Sequence, residues 1–529
     1  MADNKPGWIL NNAGVIFTKW KFSKYKNTSV VKDTDKNSGK DTIKDSKKNS
    51  NKISMESIDR ELMDCPDITR KRVYVDNHTE SYFIYLNEFI DNDILQRDFI
   101  KPILTMSLKE LSDEKKIYNL PCAKMKLLYT LEDVIDGIMA GDSVFICKAL
   151  DYAVACTVMD IDTRGIEEPQ TEKNIRGPHE GFVESIDTNY SVLRRKVKSN
   201  RLKIKKTILG KQTRQTVAIT YIEGVANIDI VNSLYDKISS IEIDGLSAIG
   251  YVEQIITANH YSIFPQFLST ERPDKAVASL LEGRIVILQE GTPVVLVAPI
   301  NFLSFFQALD DYSTLWIHGS FLRMLRLIAI VLAVVMPSLY IAITSFHYYI
   351  VPLNLLIPIA ESRAKVPFPP IVEVLILEIV VEMVREAAVR LPSYISTAIG
   401  IFATLVIGQA SVEAGIVSNI LIVIVGASAV ASYVIPSFDM SMSIRILRFG
   451  FSIATSIFGA IGMVICTALT LAHLTSMQSL GQPYFQPITP LVIRDFKDAF
   501  FRLPIKSLEK RPAIVKTKNK SRGKRNGRK

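Results

Sequence analysis

The chain has 529 residues, of which 48% are hydrophobic and 22% are charged. This composition is too apolar for an ordinary soluble protein and too charged for a chain made only of membrane spans, and the apolar excess forms one block at roughly residues 327 to 490. We therefore predict a soluble front half and a membrane rear half. A soluble enzyme, a collagen-like fibre and a small disulfide-linked domain fit poorly.

The net charge of +9 is concentrated behind the apolar block. Residues 506–529 include eleven Lys or Arg residues and a single acid, Glu509. The positive-inside rule and anionic lipid headgroups both favour a basic segment beside a membrane, and nucleic-acid binding is the weaker alternative. We predict that residues 491–529 form a basic cytosolic tail that contacts membrane lipid and no nucleic acid.

The start of the chain is hydrophilic and lacks the features of a signal peptide, so we expect the front half to be cytosolic. From about residue 24 to about residue 59 the sequence is mostly Lys, Asp, Ser and Asn. Such a composition cannot offset its ordering entropy, and we predict that residues 1–72 form a disordered hydrophilic extension.

Two segments, 134–147 and 276–289, share one pattern at a fixed offset. Each has a helical apolar pair, a glycine (Gly141 or Gly283), an apolar run, a turn and a second apolar run. Glycine ends a helix in the αL conformation, and the following runs are typical of a buried hairpin. Chance similarity between two common units is the alternative. A true repeat predicts two cytosolic α/β subdomains, at 73–165 and 166–300.

Residues 194–214 contain ten basic residues and no acid. Leu202, Ile204 and Ile208 alternate with lysines, which predicts an exposed basic hairpin. The segment has no aromatic residues for base stacking, so a solvated face, or a face for acidic lipid or an acidic partner, is favoured over a nucleic-acid site.

Charge-free runs locate the membrane part, at 327–360, 391–412, 414–438 and 449–493. About 20 apolar residues cross a bilayer, so each run can hold one span. We predict an interfacial amphipathic helix at 301–326 and a membrane domain of four spans at 327–490. Two prolines, Pro352 and Pro358, predict a broken or re-entrant piece after the first span.

Four spans place both ends of the membrane domain on one side, and the basic flank formed by Arg323 and Arg326 predicts that this side is cytosolic. Arg445 and Arg448 conflict with this count, because four spans place them outside. A fifth crossing by residues 370–388 would bring them inside but would put the tail outside. We retain four spans, with five as the alternative.

The segment 367–392 carries acids at membrane depth. Three of them fall on one helical stripe roughly 80° wide: Glu378, Glu382 and Glu386. Glu373 lies on the opposite face, and Arg385 is placed to pair with Glu382. Acids inside membrane helices usually face a water-filled path or a partner, so the stripe predicts a cation path. An interfacial helix with a solvated acidic face is the alternative.

Small residues dominate the later spans and predict close helix packing, within one chain or between subunits. The candidates are Gly400, Gly408, Gly415, Gly459 and Gly462. The six histidines show no metal-site spacing, and the phosphate-binding, dinucleotide and serine-hydrolase motifs are missing from the sequence. We therefore predict no metal, no cofactor and no enzymatic activity.

Four segments together resemble the GerA family, the A subunits of bacterial spore germinant receptors. They are EGRIVILQEGTPVVLVAPINF (282–302), FFQALDDY (305–312), PFPPIVEVLILEIVVEMVREAAVRLP (367–392) and IGQASVEAGIVS (407–418). The RGP at 176–178 also fits, and the resemblance runs from about residue 75 to about residue 512. It agrees with a fold of two cytosolic α/β subdomains followed by an all-α polytopic membrane domain.

The resemblance implies a multi-pass protein of the spore inner membrane that works with a transporter-like B subunit and a lipoprotein C subunit. It also implies that A subunits self-associate into a ring that conducts monovalent cations when a nutrient binds, chiefly through the B subunit. The alternatives are a receptor-independent spore channel of the same family and a non-conducting membrane scaffold. A stand-alone transporter and a membrane-tethered enzyme are less favoured.

Overall fold

The structure of the protein, a computed structural model, describes residues 53–76, 78–122, 124–158, 169, 172, 177–392 and 408–522. The strands are β1 (Ile68–Val75), β2 (Thr79–Leu86), β3 (Met125–Leu128), β4 (Ser143–Cys147), β5 (Ala153–Cys156), β6 (Leu202–Leu209), β7 (Gln215–Ile222), β8 (Leu268–Thr270), β9 (Ile285–Gln289), β10 (Val295–Ala298), β11 (Gln478–Ser479) and β12 (Gln482–Pro483).

The helices of seven or more residues are α1 (Met55–Glu61), α2 (Leu131–Ala140), α3 (Ile186–Lys196), α4 (Ile228–Ser239), α5 (Ile249–Ile256), α6 (Pro273–Glu282), α7 (Trp316–Ser345), α8 (Leu353–Arg363), α9 (Pro370–Arg390), α10 (Asn419–Tyr433), α11 (Phe438–Phe458) and α12 (Ala460–Ser476). Shorter helical pieces are Asn92–Ile94, Leu95–Ile100, Lys101–Thr105, Leu108–Leu111, Glu114–Ile117, Asp310–Ser313, Gly408–Glu413 and Phe496–Ala499. The described chain is therefore α/β before residue 300 and mainly helical after residue 315.

The two large sheets have the same topology. The first has the strand order β1-β2-β4-β5-β3 and the second β6-β7-β9-β10-β8, and all neighbouring strands are antiparallel. In each copy a helix ends at a glycine with φ of 98°, Gly141 after α2 and Gly283 after α6. Only glycine adopts this conformation cheaply, which is why each helix ends there before a buried hairpin. The predicted repeat is confirmed.

Subdomain 1 begins earlier than predicted. The boundary at residue 72 falls inside β1, and α1 precedes it with Ile58 fully buried in the core of this subdomain. β1 is an edge strand that carries Arg70, Lys71 and Arg72 in a row, with Arg70 and Arg72 exposed and Lys71 half-buried, and charged side chains are typical of a sheet edge. This charge made an ordered strand look like part of a hydrophilic extension.

The two subdomains are joined by a buried ion pair, which corrects the prediction of a wholly exposed basic hairpin. Arg194 Nε lies 2.8 Å from Asp67 Oδ2, and both side chains are at least 95% buried. Lys203 of β6 is also buried and donates to the carbonyl oxygens of Glu61 and Met63. These two cations of the basic segment therefore hold subdomain 1 against subdomain 2.

In the helical part, α7 lies in the middle and contacts α9, α10, α11 and α12. Within the described residues it is the one helix long and apolar enough to cross a membrane, with 30 residues. The predicted interfacial helix at 301–326 does not form as one element. That segment is a 3-10 turn (Phe302–Phe306), the short helix Asp310–Ser313 and the start of α7.

The other predicted spans differ from the helices in length. The run at 327–360 is broken after Ser345, and α8 follows with Pro358 inside it. The run at 391–412 lies largely outside the described residues, and α10 has 15 residues. The run at 449–493 holds the end of α11, a turn at Gly459 and α12, which ends at Ser476. The four-span count therefore stays a prediction.

The chain after α12 returns to subdomain 2. The Tyr484 hydroxyl donates to the Pro265 carbonyl, and Ser479 Oγ donates to the Gln266 carbonyl, each at 2.8 Å. Tyr484 is fully buried in an apolar core that also contains Phe302 and Phe305. The same core continues into residues of α7, α10, α11 and α12, so subdomain 2 and the helical part share one hydrophobic core.

Candidate functional site

Helices α9 and α11 carry the charges that meet inside the helical part. Proline at the first position of α9 suits the fixed φ of a first helical turn, and Ser437 caps α11 by accepting from the Met440 backbone N–H. On each helix, charges three or four residues apart share one face. These side chains form what we call the α9–α11 charge cluster: Glu378, Glu382, Arg445 and Arg448.

In the α9–α11 charge cluster each arginine contacts an acid of α9. Arg448 Nε lies 3.2 Å from Glu378 Oε1, and its Nη2 lies 3.6 Å from Glu382 Oε1. Arg445 Nε lies 3.4 Å from the same Glu382 oxygen. Arg448 Nη1 also donates to Ser428 Oγ of α10 at 3.2 Å. Three helices thus meet at one set of charges.

Burial explains why these charges are paired. Glu378 is fully buried, the side chain of Arg448 is 1% exposed and that of Arg445 is 4% exposed, while Glu382 is 28% exposed. Removing ions from water costs several kcal/mol each unless they are paired, and here two carboxylates face two guanidinium groups. The positions that conflicted with the four-span count, Arg445 and Arg448, are therefore internal counter-ions and not membrane flanks.

Ion pairing in the cluster is not accompanied by well-aligned hydrogen bonds. Within the described chain, both oxygens of Glu378, Nε and Nη1 of Arg445, and Nε and Nη2 of Arg448 have no hydrogen-bond partner. Buried ion pairs are strongest when they are bidentate and fully hydrogen-bonded. The arrangement therefore holds α9 and α11 together chiefly by charge.

The remaining charges of α9 are used differently from the prediction. Glu386 is 63% exposed and pairs with Arg390 four residues later, at 2.5 Å. Arg385 stacks its guanidinium over the Tyr433 ring at 4.7 Å, and Glu382 contacts the two arginines of α11 instead of Arg385. The predicted stripe of three acids therefore divides into two buried or half-buried members and one exposed member.

Glu373, on the opposite face of α9, has a structural contact of its own. Its Oε2 accepts from the Ser418 backbone N–H at 3.1 Å, directly before α10 begins. A carboxylate at a helix N-terminus satisfies an unpaired N–H and favours the helix dipole. Arg363 Nε lies 3.7 Å from its other oxygen. Glu373 therefore links the α8–α9 connection to the start of α10.

Two of the glycines named for helix packing lie at the α11–α12 hairpin. Gly459 separates the two helices with φ of 60°, and a Cβ there would lie 3.1 Å from the Phe346 ring. A Cβ at Gly462 would overlap the Ala454 carbonyl oxygen of α11. A side chain at Gly462 would force α12 away from α11, and one at Gly459 would press on Phe346 at the end of α7.

The other three glycines have different surroundings. Gly415 takes φ of 66° in the turn before α10, where a Cβ would lie 2.9 Å from the Lys365 carbonyl oxygen. Gly408 has open space around it in the described part of the chain. Gly400 lies outside the described residues.

A second buried charge cluster, which the sequence reasoning missed, lies at the base of α7. Asp311 is fully buried and its Oδ2 lies 2.8 Å from Arg326 Nη1 and 3.3 Å from Arg323 Nε. Arg323 Nη1 lies 3.1 Å from Asp498 Oδ1 and also donates to the Asp498 carbonyl. Close approach is possible because a Cβ at Gly319 would lie only 2.7 Å from the Asp311 carbonyl oxygen. We call these four charged residues the α7 base cluster.

The α7 base cluster changes the meaning of the basic flank. Arg323 is fully buried and Arg326 is 8% exposed, so these cations neutralise internal acids and are not available to lipid headgroups. Burial raises the pKa of the Asp498 carboxyl, and Arg323 opposes that shift. The sequence signal that indicates this cluster is the acid pair Asp310 and Asp311 in FFQALDDY. A short linker separates it from two arginines, Arg323 and Arg326, which are three residues apart and so share one helical face.

Comparison with protein families gives one model that covers most of the chain. The family described as "Bacillus/Clostridium GerA spore germination protein" matches residues 56–514. The chain is similar to Spore germination protein KA of Bacillus subtilis (strain 168), with 36% identity over 84% of this chain and 82% of that protein. It is also similar to Spore germination protein GerLA of Bacillus cereus, with 34% identity over 88% of this chain and 95% of that protein.

Two further similarities complete the comparison. Spore germination protein GerQA of Bacillus cereus is 37% identical over 84% of this chain and 89% of its own length. The crystal structure of the N-terminal domain of the A subunit of the Bacillus megaterium spore germinant receptor GerK3 aligns with 47% of this chain and 94% of that one, with a TM-score of 0.35 and 26% identity.

Proposed function

Because the chain belongs to the GerA family of Bacillus and Clostridium spore germination proteins, we propose that it is the A subunit of a germinant receptor in the spore inner membrane. It works there with a transporter-like B subunit, which recognises the nutrient, and a lipoprotein C subunit. Several copies assemble into a ring that conducts monovalent cations when the nutrient binds. The chain crosses the membrane several times with both ends in the cytosol.

The observation that carries the channel proposal is the placement of acids along α9. Glu378, Glu382 and Glu386 lie on one stripe and become more exposed toward the end of the helix, from 0% through 28% to 63%. An acid in a membrane helix is costly, so it is retained where it faces water or a partner. In this proposal Glu386 and Glu382 face the ion path, and Glu378 anchors the helix.

The α9–α11 charge cluster supports a gated channel over an open one. Arg445 and Arg448 neutralise the two inner acids, so the stripe exerts little field on cations while the pairs are closed. Movement of α11 away from α9 would uncover Glu382 and restore the negative potential that concentrates cations. A nutrient signal that reaches α11 would therefore open the path by separating charges already in place.

The test is ion flux through the purified protein in liposomes, with Glu386→Gln as the informative variant. Because Glu386 is exposed and its pair with Arg390 is a surface contact worth about 0–1 kcal/mol, the change removes charge without unfolding the helix. We expect cation conductance or selectivity to fall several-fold, a size typical of losing one charge from a ring. Replacing Glu378 would be less informative, because it leaves Arg448 buried without a partner.

Glu361→Gln is the matched control, since this exposed acid lies on α8 and away from the stripe. The control should conduct like the unmodified protein. If the unmodified protein gives no flux while remaining folded and assembled, a non-conducting scaffold is the better function. If flux is present but Glu386→Gln and Glu361→Gln behave alike, the protein conducts without a path along α9.

A further inference from the structure

A polar cleft lies where subdomain 2, the lead into α7 and the C-terminal segment meet. Two cavities of about 410 Å³ and about 220 Å³ adjoin there and share part of their lining. The shared lining is Glu282, Arg284, Ser304, Gln307 and Arg522. We call this space the Arg284 cleft. Its size suits a small molecule, and a folded partner protein would not fit inside it.

Positive charge exceeds negative charge around the Arg284 cleft. Glu282 is paired twice, with Arg284 Nε at 3.2 Å and with Arg522 Nη2 at 2.6 Å. Arg511, which is 9% exposed, donates instead to backbone carbonyls such as that of Leu281 at 2.8 Å. Three guanidinium groups therefore surround one carboxylate. Burial, and next the nearby Arg522, lower the pKa of Arg511, as expected for cations in excess.

Acids elsewhere in the cleft are already in use. Asp495 and Asp498 line the far end of the smaller cavity, but Asp495 pairs with Arg494 and Asp498 with Arg323. Glu509 also has a partner of its own. Neither Asp495 nor Asp498 is paired with Arg284 or Arg511 in the described part of the chain. The excess of positive charge therefore remains uncompensated by the residues that the structure describes.

Arg284 has hydrogen-bond donors to spare. It is 5% exposed, and its contacts within the described chain use Nε, toward Glu282, and Nη2, which donates to Ser304 Oγ at 3.3 Å. A guanidinium has five N–H donors in a planar fork, so the two on Nη1 are left over. Arg284 lines both cavities and its Nη1 keeps some solvent exposure, so these donors are accessible to a ligand, and an anionic oxygen satisfies both their charge and their geometry.

We propose that the Arg284 cleft binds a small organic anion whose carboxylate or phosphate head contacts Arg284 and Arg522. The larger cavity is also lined by Leu268, Leu281 and Leu309, so the anion carries a short apolar body. Residues 304–309 of the lining lead directly to Asp311 of the α7 base cluster. A bound anion would thus fasten subdomain 2, the lead into α7 and the C-terminal segment together.

The test titrates purified full-length protein in detergent with inorganic phosphate and, separately, with hexanoate, against sodium chloride at equal ionic strength. Ligand that binds the folded state raises the unfolding temperature in a saturable way, which yields an apparent Kd. In Arg284→Gln and Arg522→Gln the apparent Kd should weaken roughly tenfold to a hundredfold, the effect of losing one charged hydrogen bond. Arg522 is one-third exposed, so its variant stays informative if Arg284→Gln fails to fold.

Arg201→Gln, an exposed cation at the start of β6, is the control and should bind both anions like the unmodified protein. Tighter binding of hexanoate supports a carboxylate ligand, and tighter binding of phosphate supports a phosphate ester. The proposal is overturned if neither anion stabilises the protein beyond chloride, or if the two cleft variants bind as tightly as the control. These measurements do not use ion flux, so their failure is separate from failure of the channel proposal.

Discussion

The two α/β subdomains have the same strand order but relate differently to the rest of the chain. Every buried residue of the subdomain 1 core lies between Ile58 and Val158. In subdomain 2, one face of the sheet, with Val286 and Val297, belongs to a core that continues into the helical part. The other face packs against α4 and α5. Topology therefore does not set the role of a subdomain. The role depends instead on which face of the sheet is left for later segments of the chain to cover.

The attachments of the two subdomains differ in kind and in extent. Subdomain 1 depends on the pair formed by Arg194 and Asp67, supported by Lys203. Subdomain 2 joins the helical part through the shared apolar core, and the α7 base cluster fixes α7 to the chain segments around Asp311 and Asp498. We expect the first attachment to be separable and the second to be essential to the fold.

The largest effect is expected for Asp311→Ala. The change leaves Arg323 and Arg326 buried without this carboxylate, and breaking a buried ion pair from one side typically costs about 3–5 kcal/mol. Thermal unfolding of the full-length protein should show a fall in the midpoint of the whole helical part. Asp310→Ala is the neighbouring control, because Asp310 pairs with neither arginine within the described chain. Equal losses for the two variants would contradict an essential α7 base cluster.

A smaller and more local effect is expected for Arg194→Gln. It leaves Asp67 buried without its ion pair, at a cost of roughly 3 kcal/mol, but that cost falls on the joint between the subdomains. Limited proteolysis should cut after residue 158 faster, while the unfolding midpoint of the helical part stays unchanged. The adjacent Arg195→Gln is the control, since Arg195 lies 4.0 Å from a partly exposed Glu180. Loss of the helical part in Arg194→Gln would show that subdomain 1 is not separable.

The smallest effect concerns the pH dependence of stability, and the group responsible for it lies in subdomain 2. Glu253 of α5 lines a groove facing the start of α11, with His260 and Ser269 nearby. Burial, and next the charge of Asp439, raise the pKa of Glu253 from 4.5 to about 7. The folded state thus holds this proton more tightly than the unfolded state does. The stability that the protonated Glu253 contributes is complete below pH 4.5 and is lost as pH rises through 7.

The unfolding midpoint should therefore fall as the pH rises from about 5 to about 8. The corresponding loss in the free energy of unfolding is on the order of 1–2 kcal/mol. Glu253→Gln should flatten this part of the profile, because glutamine does not titrate. Glu242→Gln, at an 82% exposed position of the same subdomain, should leave the slope unchanged. If the slope survives in Glu253→Gln, another group in the groove is responsible.

The repeat could be predicted because its signals are local. A glycine that ends a helix and a following run of Val and Ile are both visible within fourteen residues, and both copies carry them. The start of subdomain 1 could not be placed as well, since Arg70 to Arg72 give the ordered edge strand β1 the composition of a solvated segment. Local composition identifies a core strand more readily than an edge strand.

The candidate site was predicted only in part, because a helical stripe indicates which residues share a face but not what that face contacts. Glu378 and Glu382 could be placed together, whereas their partners lie more than sixty residues later, on a helix whose position depends on the packing of α7 and α10. The charge-free run 449–493, which includes Tyr484, indicates a span for a similar reason, since an apolar run leading to a soluble core has the same composition as one that enters a membrane.

The shared core of subdomain 2 also fixes the order in which the protein can be completed during synthesis. All of the subdomain 1 core has been synthesised by residue 158 and can fold on its own contacts once it leaves the ribosome. The sheet of subdomain 2 can form by residue 298, but Phe302 and Phe305 stay uncovered until Tyr484 is made, nearly two hundred residues later. In that interval α7 to α12 are synthesised while an aromatic surface is exposed. The nascent chain is therefore most vulnerable to aggregation at its midpoint.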